Sequence, residues 1–251
     1  MKKAAFFDID GTLYRDSLMI EHFKKLLKYE VLDQSLWHTH VKQTYENWHK
    51  RRGNYDDYML ELAAIYIESL KGMEKSKMEF VTNQVIDLQG DKVYMYTRSR
   101  IQWHLDNGYQ VFFISGSPDY LVKRMAKRYG VTDCIGSHYL VDGEDRYTGE
   151  VLQMWGSDSK LQAMKRFTEQ YGIDLENSYA YGDTNGDMSM FQLVGHPVAI
   201  NPTRELLTNL KADPRLSRIT DVVVERKDVI YLLKPDVCFM ASQEVSQQMN
   251  D

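Results

Sequence analysis

The chain's first apolar run, Ala4-Ala5-Phe6-Phe7, breaks at once into Asp8-Ile9-Asp10-Gly11-Thr12-Leu13. Unbroken apolar runs of this length suit strands buried on both faces of a parallel sheet. Charge is tolerated only at the end of such a strand, where loops and ligands meet. Two buried aspartates there cost free energy unless a cation or a protonation step uses them. The start of the chain therefore predicts a strand over residues 4–9 with a reaction centre at its carboxyl end.

Further short strands are predicted over 111–115, 134–135, 179–182 and 197–200, with a sixth over 222–224. Helical patterns separate them. Ser117-Pro118 reads as an N-cap and first turn of a helix closed by Gly130. Ser157 or Asp158 caps a second, whose Leu161, Met164, Phe167 and Tyr171 share a face before Gly172. Asn107-Gly108 ends another, and Asp142-Gly143 marks a β-hairpin turn. Strand, helix, glycine, strand is the rhythm of a Rossmann-like, doubly wound parallel α/β sheet.

From Tyr14 to about Gln89 that rhythm is absent and the chain reads as helix. Leu18, Phe23, Leu26 and Leu27 form one apolar stripe; Tyr58, Leu62, Ile65, Tyr66 and Leu70 form another. Trp37, Tyr45, Trp48 and Tyr55 are expected to make a small hydrophobic core. The organisation expected is a core domain over 1–14 and 90–240, an inserted helical domain over 15–89 above the first strand's end, and a flexible tail over 241–251.

The 251 residues suffice for a sizeable core, and a net charge of −5 argues against a nucleic-acid footprint. No apolar run reaches membrane-spanning length, and Met1-Lys2-Lys3 leads into no signal region. Cys134 and Cys238 match no metal or redox spacing and read as reduced thiols. A soluble, cytoplasmic protein without a membrane or nucleic-acid partner is expected; oligomeric state is unreadable. His38 and His40, two apart on a helix, diverge and are expected on the surface. Lys50, Arg51 and Arg52 are expected on a solvated face, as are Lys123, Arg124, Lys127 and Arg128.

In an open α/β sheet, ligands bind beyond the carboxyl ends of the strands. The predicted strands end in Asp8 and Asp10, in Ser115-Gly116-Ser117, and in Gly182-Asp183-Thr184-Asn185-Gly186-Asp187. Lys160 falls in the first turn of a helix entering the same crevice. Two carboxylates about 4 Å apart repel by roughly 4 kcal/mol at an effective dielectric near 20, so this set calls for a cation. Hard oxygen ligands suit Mg²⁺, which favours phosphate partners. Metal, anion hole and a free carboxylate together point to phosphoryl transfer.

These segments resemble the four signature motifs of the haloacid dehalogenase superfamily of aspartate-nucleophile phosphatases. Phe7-Asp8-Ile9-Asp10-Gly11-Thr12-Leu13 is similar to the first, Ile114-Ser115-Gly116-Ser117 to the second, Lys160 to the third, and Gly182 to Asp187 to the fourth. The helical insert resembles the cap of the phosphoserine-phosphatase-like branch. The resemblance implies a Mg²⁺-dependent phosphatase that hydrolyses a small phosphorylated metabolite through an aspartyl-phosphate. In that scheme Asp8 is the nucleophile, and Asp10 is the acid/base with its backbone carbonyl on the metal. Asp183 is a direct ligand, and Asp187 acts mainly by orienting metal-bound water or Lys160. Ser115, the Gly116 amide and Lys160 hold phosphate, and Thr12 steadies the loop. The alternatives are a phosphotransferase or mutase of the same fold, or a phosphoaspartate signalling module without turnover. Two departures weigh against phosphoserine itself. Ser17 stands where phosphoserine phosphatases carry a glutamate for the substrate amine, and Gly11 stands where they usually carry serine.

Overall fold

The computed structural model describes residues 1–50, 52–53 and 55–239. The expected tail over 241–251 and Arg51 lie outside the described residues. In chain order, β1 (Ala4–Phe7) is followed by α1 (Leu18–Lys28), a π-helical turn (Trp37–Val41), α2 (Lys42–His49), α3 (Tyr55–Leu70) and α4 (Lys75–Gln89). Next come α5 (Met95–Asp106), β2 (Gln110–Pro118), α6 (Asp119–Tyr129) and the pair β3 (Asp133–Val141) and β4 (Tyr147–Leu152). The chain continues with α7 (Ser157–Tyr171), β5 (Tyr179–Gly182), a 3₁₀ turn (Asn185–Asp187), α8 (Met188–Leu193) and β6 (His196–Ile200). It closes with α9 (Arg204–Ala212), α10 (Leu216–Ile219), β7 (Asp221–Arg226) and β8 (Val229–Leu233).

The strands form one sheet in the order β4-β3-β2-β1-β5-β6-β7-β8. From β3 to β7 the pairing is parallel, as expected, and both edges are antiparallel. The sheet is therefore mixed, and β8 was not foreseen. It returns from β7 through Lys227, whose φ of +50° makes the tight reversal. The turn after Asp142 is present but longer than two residues, with Asp142 Oδ1 accepting from the N–H groups of Glu144 and Arg146 at 2.9 Å each.

Period-two alternation explains the two-sided core. Ala5, Phe7, Val111 and Phe113 face one hydrophobic layer; Ala4, Phe6, Phe112 and Ile114 face the other. The second layer is covered by Met164 and Phe167 of α7, Phe191 of α8 and Leu206 and Leu210 of α9. The first takes Ile101 of α5 and Leu121 of α6 and runs on without a break into the insert, through Leu18, Phe23, Leu62, Tyr66 and Met78. A buried polar chain also crosses it. Tyr66 Oη meets His22 Nδ1 at 2.8 Å and Tyr120 Oη at 2.5 Å, while His22 Nε2 meets Thr82 at 3.2 Å. Burial pushes the His22 imidazole down to about 3, so it stays neutral.

Two helix starts differ from expectation. Pro118, not Ser117, is the N-cap residue of α6, because the strand backbone continues through it. Gly156 is the N-cap residue of α7 and no side chain caps it. Gly130 and Gly172 do end these helices, with φ of +63° and +65°. The basic strip of α6 is not simply solvated, since Arg124 donates to Asn83 and Arg128 pairs with Asp91. His38 and His40 are exposed, and Cys134 and Cys238 are free thiols. Among the described residues no helix is long and apolar enough to cross a membrane.

Candidate active site

The carboxyl ends of β1, β2 and β5 converge on the first turn of α7. Asp8 follows β1 directly, its N–H bonded to Tyr181 O at 3.0 Å. The chain then reverses sharply: Leu13 and Tyr14 both donate to Ile9 O, and Gly11 N–H donates to Tyr14 O. This reversal needs Gly11. Its φ is +79°, and a Cβ there would lie 2.1 Å from Asp183 Oδ2. Gly182 is required in the same way, since a Cβ would meet the Asp187 side chain at 2.4 Å. A Gly11→Ala variant should lose about 1–2 kcal/mol from backbone strain alone and displace Asp183. Thermal melting checks this, the variant melting lower than the wild type.

Lys160 is the hinge of the electrostatics. It is buried, and its Nζ donates to Asp8 Oδ1 at 2.9 Å and to Asp187 Oδ1 at 2.5 Å. Burial alone would lower its pKa, but the Asp187 and Asp8 carboxylates outweigh that and raise it. Asp187 is spent within the protein. Its Oδ2 accepts the N–H groups of Asp183 at 3.0 Å and Thr184 at 3.1 Å. Thr12 donates to Asp183 Oδ1 at 2.9 Å and is itself anchored through its carbonyl to Thr97.

Asp10 turns the other way. Its Oδ1 accepts from Leu18 N–H at 2.7 Å, at the start of α1, and its Oδ2 from the Ser115 hydroxyl at 3.2 Å. Ser115 also accepts from Ser117 N–H at 3.1 Å. Burial pushes Asp10 above the usual carboxylate range against the hydrogen bonds it accepts. Burial does the same to Asp8 against the pull of Lys160, and to Asp183, which the Asp8 and Asp187 charges raise further. Carboxylate oxygens of Asp8, Asp183 and Asp187 lie within 4.8 Å of one another. With Asp187 engaged by Lys160 and backbone N–H groups, Asp8 and Asp183 are left to offer hard oxygens that fit a small divalent cation.

Above this floor lies a cavity of about 670 Å³. Asp8, Asp10, Gly11, Gly116, Lys160 and Asp183 line its base. Thr12, Ser115 and Asp187 stand behind these residues, bracing them without lining the cavity. The walls include residues that sequence reasoning missed. Trp155 comes from the segment before α7, its Nε1–H donating to Gly116 O at 2.7 Å. Trp48 and Tyr55 come from the helices of the insert. The aromatic group there does form a cluster with Tyr45 and Tyr58, as expected, but it also presents two rings to the cavity. Ser17 lines the wall as the N-cap residue of α1, its Oγ accepting from Ile20 N–H at 3.5 Å. Glu21 instead pairs with Lys24 at 3.2 Å.

The profile of the haloacid dehalogenase-like hydrolase family matches residues 5–192, three quarters of the chain. This protein belongs to that family. A relative from Mycobacterium tuberculosis named phosphoserine phosphatase SerB1 is 31% identical over 210 residues, covering 81% of this chain and 66% of its own. The chain thus spans just under two thirds of that relative's length. A probable phosphatase from the same organism is 25% identical and covers 82% of this chain and 71% of its own. Among solved structures, a Bordetella pertussis protein of unknown function matches with a TM-score of 0.67 at 17% identity, covering 84% of this chain and 96% of its own. A substrate-bound phosphoserine phosphatase matches with a TM-score of 0.58 at 19% identity, covering 91% and 95%. Those two likenesses carry the fold.

Proposed function

We propose that this hydrolase is a Mg²⁺-dependent phosphatase acting on a small phosphate monoester in the cytoplasm through an aspartyl-phosphate. The observation that carries the reading is the cavity floor, where Asp8, Asp10, Lys160 and Asp183 meet although the chain separates them widely. Asp8 Oδ attacks phosphorus as the ester P–O bond breaks. Asp10, whose pKa burial raises, gives its proton to the leaving oxygen. It then takes a proton from the water that attacks the phosphoaspartate, releasing phosphate and restoring Asp8. Lys160 offsets the phosphate charge, with Asp187 fixing its ammonium in place. The Gly116 amide is a proposed phosphate donor, and the Ser115 hydroxyl is proposed to become a second by turning from Asp10, to which it donates here. Asp8, Asp183 and the Asp10 carbonyl are the proposed holders of Mg²⁺, which when bound neutralises carboxylate and phosphate oxygens. Residues 15–89 are proposed to form the cap that selects the substrate over a core of 1–14 and 90–240.

An Asp10→Asn variant should keep the fold and lose about 10²- to 10⁴-fold in kcat for phosphate release. Wild-type turnover in that variant would remove Asp10 from the mechanism. Product analysis with an added alcohol distinguishes hydrolysis from transfer. Mg²⁺ should raise Tm with a defined pH dependence. The folded carboxyls of Asp8, Asp10 and Asp183 are raised above 3.8, so the folded state holds protons that the unfolded state has lost. Stability of the metal-free protein therefore falls as pH rises through those raised values. Metal binding displaces the same protons, so the Mg²⁺-induced gain grows as pH rises toward about 7, the value to which Asp8 is raised, and levels off above it. At saturating ion it should reach about 2.7 kcal/mol at a hundred times Kd. Absence of any Tm shift at millimolar Mg²⁺ would count against the metal site.

A further inference from the structure

The floor of the cavity accounts for a phosphate group, but Met19, Trp48, Tyr55, Met59 and Trp155 also line the cavity. We propose that this remaining space selects phosphate monoesters whose alcohol carries a planar aromatic ring, a reading that rests on the phosphatase assignment. Two walls carry it. On the core side, Trp155 is locked by its Nε1–H bond to Gly116 O at 2.7 Å. Its ring lies so close that a Cβ on Gly116 would meet Trp155 Cδ1 at 2.6 Å, which places an indole beside the phosphate-binding backbone. On the insert side, Trp48 and Tyr55 pack at 5.4 Å between centroids, and Trp48 stacks on the buried Tyr58 at 5.6 Å and 12°. These rings are braced from behind and line the cavity with their remaining surface. The thioethers of Met19 and Met59 complete the apolar lining between them.

Beyond the floor, the charged residues on the cavity lining are Arg15 and Asp16. Asp16 accepts from Ser17 N–H at 3.0 Å and lies 3.6 Å from Lys92. Arg15 sits at the exposed mouth, its guanidinium 5.9 Å from the Tyr94 ring. Ser17 spends its hydroxyl on the first turn of α1. A small zwitterionic alcohol would exchange water for indole and thioether surface and leave its charges poorly matched, whereas a flat ring gains stacking and burial. The cavity volume of about 670 Å³ accommodates a ring together with the phosphate.

The test pairs esters with similar leaving groups. For the wild-type enzyme, kcat/KM for 2-phenylethyl phosphate should exceed that for ethyl phosphate and for O-phosphoserine by about 10- to 200-fold. Trp48→Leu should cut that ratio at least about tenfold, mainly through KM, while Trp48→Phe retains most of it. Equal kcat/KM for ring and ring-free esters overturns the ring site and leaves the phosphatase reading intact. A binding arm uses the Asp8→Asn protein with 2-phenylethylphosphonate and ethylphosphonate, followed by calorimetry. Tighter binding of the ring compound supports the ring site even if the wild type cleaves neither ester, an outcome that removes only the phosphatase reading. Equal or undetectable binding of both compounds overturns the ring site.

Discussion

Asp8→Asn should reduce phosphate release by about 10⁴-fold or more, the scale seen when a covalent nucleophile is removed. The substitution preserves shape, and the amide oxygen can still accept from Lys160 Nζ, which also keeps Asp187. The fold should therefore survive, as circular dichroism and melting would register. What is lost is the anionic carboxylate oxygen proposed to form the phosphoaspartate. An amide oxygen beside a cation is a poor nucleophile, and the nearby carboxylates of Asp187 and Asp10 are held by other donors. Asp187 has both oxygens engaged by protein donors, and Asp10 is held by Leu18 N–H and Ser115. Turnover at the wild-type level in a generic phosphatase assay would sink the assignment.

Lys160→Met should carry the largest structural penalty in the site. The ammonium is 4% exposed, and its partners Asp8 and Asp187 are 7% and 0% exposed. Removing one member of a buried ionic cluster leaves uncompensated charge and costs about 3–5 kcal/mol. For a chain of this size that corresponds to a Tm lower by about 6–20 °C. Protonation of Asp8, which burial already favours, absorbs part of the cost, so the loss should be smaller in acid than at neutral pH. Mg²⁺ should recover some of the stability but not the activity, which should fall at least about 10²-fold because the charge facing the phosphate is gone. A melting temperature matching wild type at neutral pH would mean that the buried triad contributes little.

Much of this was legible in the chain. The strand over 179–182 matches β5, and each predicted parallel strand has its counterpart. Buried parallel strands advertise themselves as short apolar runs, and helix ends were marked by Gly130 and Gly172. The β3–β4 edge was signalled by the turn at Asp142, but the β8 edge was not legible, because β8 is exposed and exposed antiparallel strands carry weak patterns. Ser117 misled as a cap because local capping signals do not reveal that strand hydrogen bonding runs through Pro118. Arg124 and Arg128 read as solvated because their partners Asn83 and Asp91 lie on segments far away in the chain.

The same division runs through the site. The sequence determined which groups are proposed to do chemistry: Asp8, Asp10, Lys160 and Asp183 are recognisable because carboxylates and a lysine at strand and helix ends are costly unless used. The tertiary structure decided what each group faces. It assigned Asp187 to Lys160 and Asp10 to α1, put Ser115 behind Asp10, and used Glu225 of β7 to cap α5 through Met95 and Tyr96. It also gathered Trp48, Tyr55 and Trp155 around one cavity. An aromatic side chain is equally at home in a core or a binding wall. Only the packing of the insert against the sheet distinguishes the two, because the contacts involved span elements that have no periodic relation in sequence.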